Sequence, residues 1–318
     1  MISVFLGAGF CMIGGVPLAS QLFDAQPEVD RITRQRLVQR VLARWIEWKT
    51  EHAGAPEEYL AFLQENDGHV WRDALWYVGL VIALRMGRLE MVGAQPTITR
   101  HNIDRTTRIE SHEAFWSVIF RRTEEVGAIT TNYDILAERG LRHEPRPRVY
   151  RPGFHYGEGS EYLEGGGYPS YAHIKRVGAS GRVPVLKLNG SASWAYQDGK
   201  LLHYHDCRPA IRGNAAIVAP VTAKVLRQYL QDVWDKAHSI MAITPIWVIV
   251  GYSLPEYDEL VRKLFVESSV HGPAVHVFNP DPEVADRFSR LLQGATVYAH
   301  PGLPEGLKDL EQVLKSVL

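Results

Sequence analysis

Five short segments of this chain put glycine, asparagine, aspartate or serine directly after an apolar run, where such groups can do chemistry. Gly7-Ala8-Gly9 follows Met1 to Leu6 and can bring bare backbone N–H groups close to a diphosphate. It lacks the full G-x-G-x-x-G spacing, with Gly14-Gly15 following at a longer interval, so a plain turn into a first helix explains it equally well. Asn132 and Asp134 stand in Thr130-Thr131-Asn132-Tyr133-Asp134. Their short polar side chains can hold a ribose hydroxyl, an amide or a water, or else cap a helix. Asn189, Gly190 and Ser191 end the run VPVLKLNGS, Gly251 and Ser253 follow ITPIWVIV, and Asn279 follows PAVHVF. Each segment alone is explained by a loop. Five of them in one chain ask for a common edge.

The elements that must position them alternate. Apolar bursts at Met1 to Leu6, Ala128 to Thr131, Val183 to Leu188, Ile246 to Val250, Val275 to Phe278 and around Val297 read as buried strands. Helical patterns lie between several of them, over Val221 to Ala242, Glu256 to Ser268 and Asp281 to Leu292. Strand and helix alternation predicts an α/β fold, a Rossmann-like doubly wound and mostly parallel sheet. In such a sheet ligands bind outside the carboxyl ends of the strands, where all five segments fall. Between the first two strands the pattern is helical. RITRQRLVQRVLARWIEWK, WRDALWYVGLVIALRMG and HEAFWSVIFRRTEE read as helices with no convincing strand among them, so residues 31–125 are expected to be a helical insertion. Residues 1–30 and 126–318 then form the sheet domain. Arg151 to Gly181, with Gly165-Gly166-Gly167, reads as a long loop, a lid or a surface excursion. Asp198-Gly199 between alternating residues predicts a hairpin.

Composition narrows the classes. Thirty-five Lys and Arg against 36 Asp and Glu leave a formal charge of -1, so no global field draws in nucleic acid or a membrane surface. The start MISVFLGAGF lacks the marks of a secretory signal, and Ala74 to Leu84 is too short to span a bilayer. A cytoplasmic location is expected. Two cysteines, Cys11 and Cys207, cannot build a four-thiolate zinc site. His203, His205 and Cys207 alternate beside Asp206, but the hairpin explains that alternation without a metal, and none is expected. Arg121-Arg122 and Arg142 to Arg151 are read as a solvated basic face. Trp45, Trp48, Trp71, Trp76 and Trp116 crowd the insertion, where packing or a subunit interface accounts for them.

The ordered set GAGF, TTNYD, LKLNGSASW, IVGYSLPEYD and VFNPD resembles the SIR2-like superfamily, and more closely its bacterial branch found in anti-phage defence. The resemblance covers residues 1 to about 25 and 126 to 290 and skips the insertion. It implies NAD as substrate or ligand. Gly7, Ala8 and Gly9 would receive the diphosphate, while Asn132 and Asp134 would hold the nicotinamide ribose and the reacting water. Gly190 and Ser191 match the residues after the family's catalytic histidine. Gly251 and Ser253 match a later loop, Asn279 the position near the adenosine ribose, and Asp258 is read as capping or packing. The implied activity is NAD+ glycohydrolysis to nicotinamide and ADP-ribose. The implied role is depletion of NAD on phage infection. With no room for a fused sensor in 318 residues, a homo-oligomer or a separate ATPase or sensor partner is expected.

Two departures stand out. The zinc cysteines of the protein-deacylating relatives are missing, which favours the NAD-hydrolysing branch. Where the family carries H-G-S, this chain has Asn189-Gly190-Ser191. An amide forms hydrogen bonds but does not titrate, so it cannot serve as a general base. Three possibilities stand: Asp134 or a histidine of the Tyr150–His173 loop supplies the base, the chain is a silent NAD- or ADP-ribose-binding scaffold or sensor, or Asn189 is an introduced change. A glycosidase for another nucleotide is a further reading.

Overall fold

The computed structural model describes residues 1–23, 36–86, 90–92, 95–97, 109–142, 154–155, 161–164, 175–178, 183–197, 200–204, 207, 209–210, 213–219 and 228–317. The N-terminal part holds β1 (Ile2–Leu6), α1 (Ala8–Met12), α2 (Arg36–Glu51), α3 (Pro56–Asn66), α4 (Gly68–Arg85), β2 (Glu90–Val92), β3 (Gln95–Thr97) and α5 (Glu110–Phe120). The middle holds β4 (Val126–Thr130), α6 (Leu136–Arg142), β5 (Phe154–His155), β6 (Glu161–Glu164), β7 (Lys175–Gly178), β8 (Val183–Lys187), β9 (Gly190–Gln197), β10 (Lys200–Tyr204) and β11 (Ala215–Ile217). The C-terminal part holds α7 (Gln228–Ile243), β12 (Ile246–Val250), α8 (Glu259–Ser268), β13 (Ala274–Phe278), α9 (Glu283–Leu291), β14 (Thr296–His300) and α10 (Leu307–Val317).

Seven strands form one sheet in the order β14-β13-β12-β1-β4-β8-β5, and every pairing in it is parallel. Strands β1, β4 and β12 are buried along their whole length, which is why each reads as an unbroken apolar run rather than an alternation. From β1 the chain winds outward through β4 to β8, then returns to lay β12 on the other side of β1 and winds the opposite way. The order reverses between β1 and β12, and a crevice opens there. One side of the sheet packs Phe5 against Tyr252 and Phe265, with ring centroids 4.9 and 4.8 Å apart. Phe10 meets Phe115 of α5 at 5.3 Å. The doubly wound α/β sheet expected from the alternation is therefore present.

Three features differ from the expectation. Residues 31–125, expected to be a helical insertion, include a short antiparallel pair, β2 with β3, whose three-residue strands are too brief to show a period. The stretch Arg151 to Gly181 carries β5, β6 and β7 rather than loop alone, while Gly165 to Gly167 lie outside the described residues. A second sheet, β11-β9-β10-β6-β7, is foreshadowed in the sequence only by the hairpin that joins β9 to β10. The Asp198-Gly199 hairpin is borne out: Gln197 pairs with Lys200 across it. Trp48 and Trp116 are buried, and Trp45, Trp71 and Trp76 pack against the same core. Arg122 reaches Glu311 at 3.7 Å.

His203 is buried against Trp194, ring centroids 4.9 Å apart, and burial lowers its pKa to about 3. His276 is lowered to about 4 by burial and then by neighbouring His300. His205 and Asp206 lie outside the described residues, and the described ones contain no cluster able to hold a metal. Both histidines are neutral when folded and take up a proton near pH 6.5 when unfolded. Stability is thus full above that pH and falls as pH drops toward the folded values, by about 1.4 kcal/mol per pH unit for His203 and at most that for His276. Urea midpoints taken from pH 7.5 to pH 5 should decline, and His203→Phe should flatten the decline. An unchanged slope in that variant would contradict the assignment.

Candidate functional site

The glycines at the switch point are set by backbone packing. Gly7 N–H donates to Val250 O at 2.9 Å and Gly9 N–H to Gly251 O at 2.8 Å, stitching the end of β1 to the end of β12. A Cβ on Gly7 would fall 2.4 Å from Tyr252 Cα. Gly251 has φ +62, and its Cβ would lie 2.4 Å from Phe10 N. The two loops touch main chain to main chain, and only glycine permits it. Those two N–H groups are committed to β12. Leu254, a few residues on, also has a positive φ of 55, and Arg262 Nη1 holds its carbonyl at 3.2 Å. A buried leucine in that region is strained, and such strain collects in loops that line functional sites.

The loop after β4 is fixed from both sides. Thr130 Oγ1 donates to Leu6 O at 2.8 Å and accepts from Asn132 N at 3.0 Å. Asn132 Nδ2 then donates to Gly7 O at 2.8 Å and to Cys11 Sγ at 2.9 Å. Because a carbonyl only accepts, the amide orientation follows, and its oxygen remains the group with spare capacity. Asp134 Oδ1 accepts from Leu136 N at 2.8 Å, so the helix-capping expectation describes part of its role. It also holds Cys11. Burial, then the charge of Asp134 and a hydrogen bond to it, push the Cys11 thiol well above its ordinary pKa, so it stays protonated at neutral pH.

The segment after β8 crosses from the parallel sheet into the second one. Gly190 takes φ +78, and a Cβ there would meet Ala216 O at 1.9 Å, so β11 requires this glycine. Ser191 is fully buried, with Oγ donating to Tyr133 O at 3.1 Å and sharing a hydrogen bond with Ser193 Oγ at 3.0 Å. Asn189 is 2% exposed; its Nδ2 donates to Thr131 O at 3.1 Å, and its main-chain carbonyl accepts from Val218 N at 2.9 Å. Asp258 is buried, accepts from Tyr252 OH at 2.9 Å and makes no side-chain cap, so of the capping or packing role expected of it the packing is what its side chain does. Burial, with Asp258 next, raises the Tyr252 phenol well above its usual range. Asn279 Oδ1 accepts from Asp281 N at 3.0 Å. Arg287 ties this loop to the previous one, with Nη2 to Asp281 at 3.1 Å and Nη1 to Ser253 O at 3.2 Å.

These loops enclose a cavity of about 280 Å³ at the switch point. Ala8, Gly9, Asn132, Asp134, Asn189, Gly251, Ser253 and Asn279 line it; Gly7, Gly190 and Ser191 do not, and lie behind its wall. Sequence reasoning missed much of the lining. Cys11, Tyr133, Tyr257 and Asp258 also line it, and Met12, Val16, Leu18, Leu22 and Ile82 form an apolar side. Tyr257 OH also donates to Glu57 Oε1 of α3 at 2.9 Å, a contact across 200 residues with no local signal. A cleft with an apolar wall facing a few fixed amides and carboxylates suits an aromatic base joined to a polar sugar.

The chain is thus a doubly wound α/β protein with its cleft at the topological switch. No family model matches it, and no curated protein matches it. Among solved structures it is similar to a Sir2 homologue in complex with NAD, at 14% identity over 99% of this chain and 89% of that one, TM-score 0.49. It is also similar to a mutant Sir2 homologue in complex with 2′-O-acetyl ADP-ribose, at 16% identity over 100% and 92%, TM-score 0.47. At identities this low, function has to be argued from the residues of this chain.

Proposed function

We propose that the switch-point cavity binds NAD+ and that the chain is an NAD+ glycohydrolase releasing nicotinamide and ADP-ribose. One observation carries this reading. Eight residues picked out by a SIR2-like motif order, from five separate strand ends, line one cavity. The order of those motifs and the lack of a zinc cysteine quartet support the anti-phage branch, with NAD depletion in the cytoplasm as the role. A homo-oligomer or a separate ATPase or sensor partner would restrain it.

The chemistry asks little covalent work of the protein. Water adds to the ribose C1′ as the N-glycosidic bond breaks and that bond's electron pair neutralises the pyridinium, while the water's proton passes to the Asp134 carboxylate on the cavity wall. Positive charge grows on the ribose meanwhile. Asn132 is fixed through its amide hydrogens and offers its oxygen to a ribose hydroxyl or the water. Asp134 and Asp258 line the same cavity, and carboxylates on its wall would favour the positive charge that develops on the ribose. The apolar side excludes bulk water. Asn189 cannot take the departing proton, which favours a second reading: a subunit that binds NAD or ADP-ribose without turning it over.

Calorimetric titration with NAD+, beside chromatographic assay of nicotinamide, tests both. Saturable binding with release is expected. Binding without release would select the silent subunit. Neither binding nor release would remove both readings, and release of a base from another nucleotide in the same assay would redirect the substrate.

A further inference from the structure

Lys187 sits inside the apolar run LKL, yet it is 1% exposed. Its ammonium donates to the main-chain oxygen of Asp134 and pairs with Glu138 Oε1 of α6 at 3.2 Å, with Glu138 itself 3% exposed. A lysine buried this deeply is rare unless its charge has a specific partner. Here the charge has two partners, Glu138 and the loop that carries the candidate site.

Lys187 belongs to a row of donors. Along the end of β8 and the start of β9, Lys187 Nζ reaches Asp134 O, and Asn189 Nδ2 reaches Thr131 O. Ser191 Oγ and Ala192 N reach Tyr133 O at 3.1 and 2.8 Å. The carbonyls of three of the four residues from Thr131 to Asp134 are thereby held from one neighbouring segment. We infer that Lys187 is a positioning residue for the cavity, with its ammonium fixing the Asp134 end of the loop that presents Asn132 and Asp134. It touches no substrate. Glu138 lies beside the ammonium at 3.2 Å, and the loop carbonyl is what the ammonium holds.

An ion pair that serves only the fold predicts something different. Neutralising both partners of a buried pair is often nearly neutral for stability. If Lys187 and Glu138 merely pack, Lys187→Met/Glu138→Gln should leave the loop where it is. If Lys187 positions the loop, that variant should melt cooperatively but lose its hold on Asp134. Cys11 reports on this without any nucleotide, because its thiol is buried and bonded to both Asn132 and Asp134.

The test labels Cys11 with a chromogenic disulfide in a Cys207→Ser background, and measures nicotinamide release and KM for NAD+ beside it. Labelling of the double variant is expected to be about tenfold faster than the parent's, as for loss of a charge-assisted hydrogen bond. Glu138→Gln alone, which keeps Lys187 on Asp134 O, should stay within about threefold. Where the parent turns over, kcat should fall about tenfold or more with KM little changed. Parent-like labelling in a folded double variant would overturn the inference. So would its failure to fold, since the pair would then serve folding. The inference rests on the cavity being the nucleotide site, and the arms fail separately: a parent that neither binds nor cleaves NAD+ removes that reading, while the thiol rates still decide what Lys187 holds.

Discussion

Asn189→His is expected to raise nicotinamide release from NAD+ by about 10² to 10⁴ over the parent chain, the usual contribution of a positioned general base. The expectation comes from how Asn189 is held. Its Nδ2 donates to Thr131 O at 3.1 Å while the residue lines the cavity. That carbonyl can only accept, so an imidazole at this position would turn a ring N–H toward it. The second ring nitrogen would then be the acceptor, available to take the proton of the water or of a ribose hydroxyl. Asn189 O still holds Val218 N, and Leu188 O still holds Trp234 Nε1 at 2.9 Å, so the backbone that aims the side chain is unaffected. Parallel assays of parent and variant at neutral pH decide the matter. A folded, NAD-binding variant that releases no more nicotinamide than the parent would mean the missing histidine is not what limits this site.

The sheet is legible in the sequence because buried parallel strands announce themselves. The run Ile246 to Val250 coincides with β12, and β1 differs from its apolar run only by Met1. The site is legible to the extent that it sits at strand ends, where a polar residue directly after an apolar run is seldom there for packing alone. What stays hidden has physical reasons. Lys187 occupies the alternate position in LKL, where a half-buried strand would put a solvent-facing residue. Only the burial of β8 on both faces makes it an interior charge. Gly190 and Ser191 are expected at the ligand through the resemblance alone, by their place after the family's catalytic histidine. Their neighbours are instead protein: Ala216 O for the one, Tyr133 O for the other. The second sheet leaves little trace, since β9 opens with the small residues Gly190 to Ser193. The Tyr150–His173 histidines, candidates for a replacement base, lie outside the described side chains.

Asn132→Ala should cost the site far more than the fold. In the Asn189→His background it is expected to lower nicotinamide release by about a hundredfold or more, the scale on which a misplaced reacting group is felt. Its stability cost should be only about 1–3 kcal/mol, two hydrogen bonds at roughly 0.5–1.5 each, since Gly7 O still accepts from Phe10 N. The asymmetry follows from what the amide joins. Its two hydrogens bridge Gly7 O and Cys11 Sγ, so the loop after β4 is pinned to the turn after β1 at the cavity wall. Thr130 Oγ1 to Leu6 O makes a second bridge lower down, which keeps the strands in register when the first is lost. Asn132→Asp is the sharper control, because it keeps the shape but sets a carboxylate oxygen against the Gly7 carbonyl. It should lose activity at least as far as alanine does. If either variant keeps release within about threefold of its background while remaining folded, Asn132 does not orient the reacting groups. The ribose would then have to be held by other residues of the lining, Asp134 first among them.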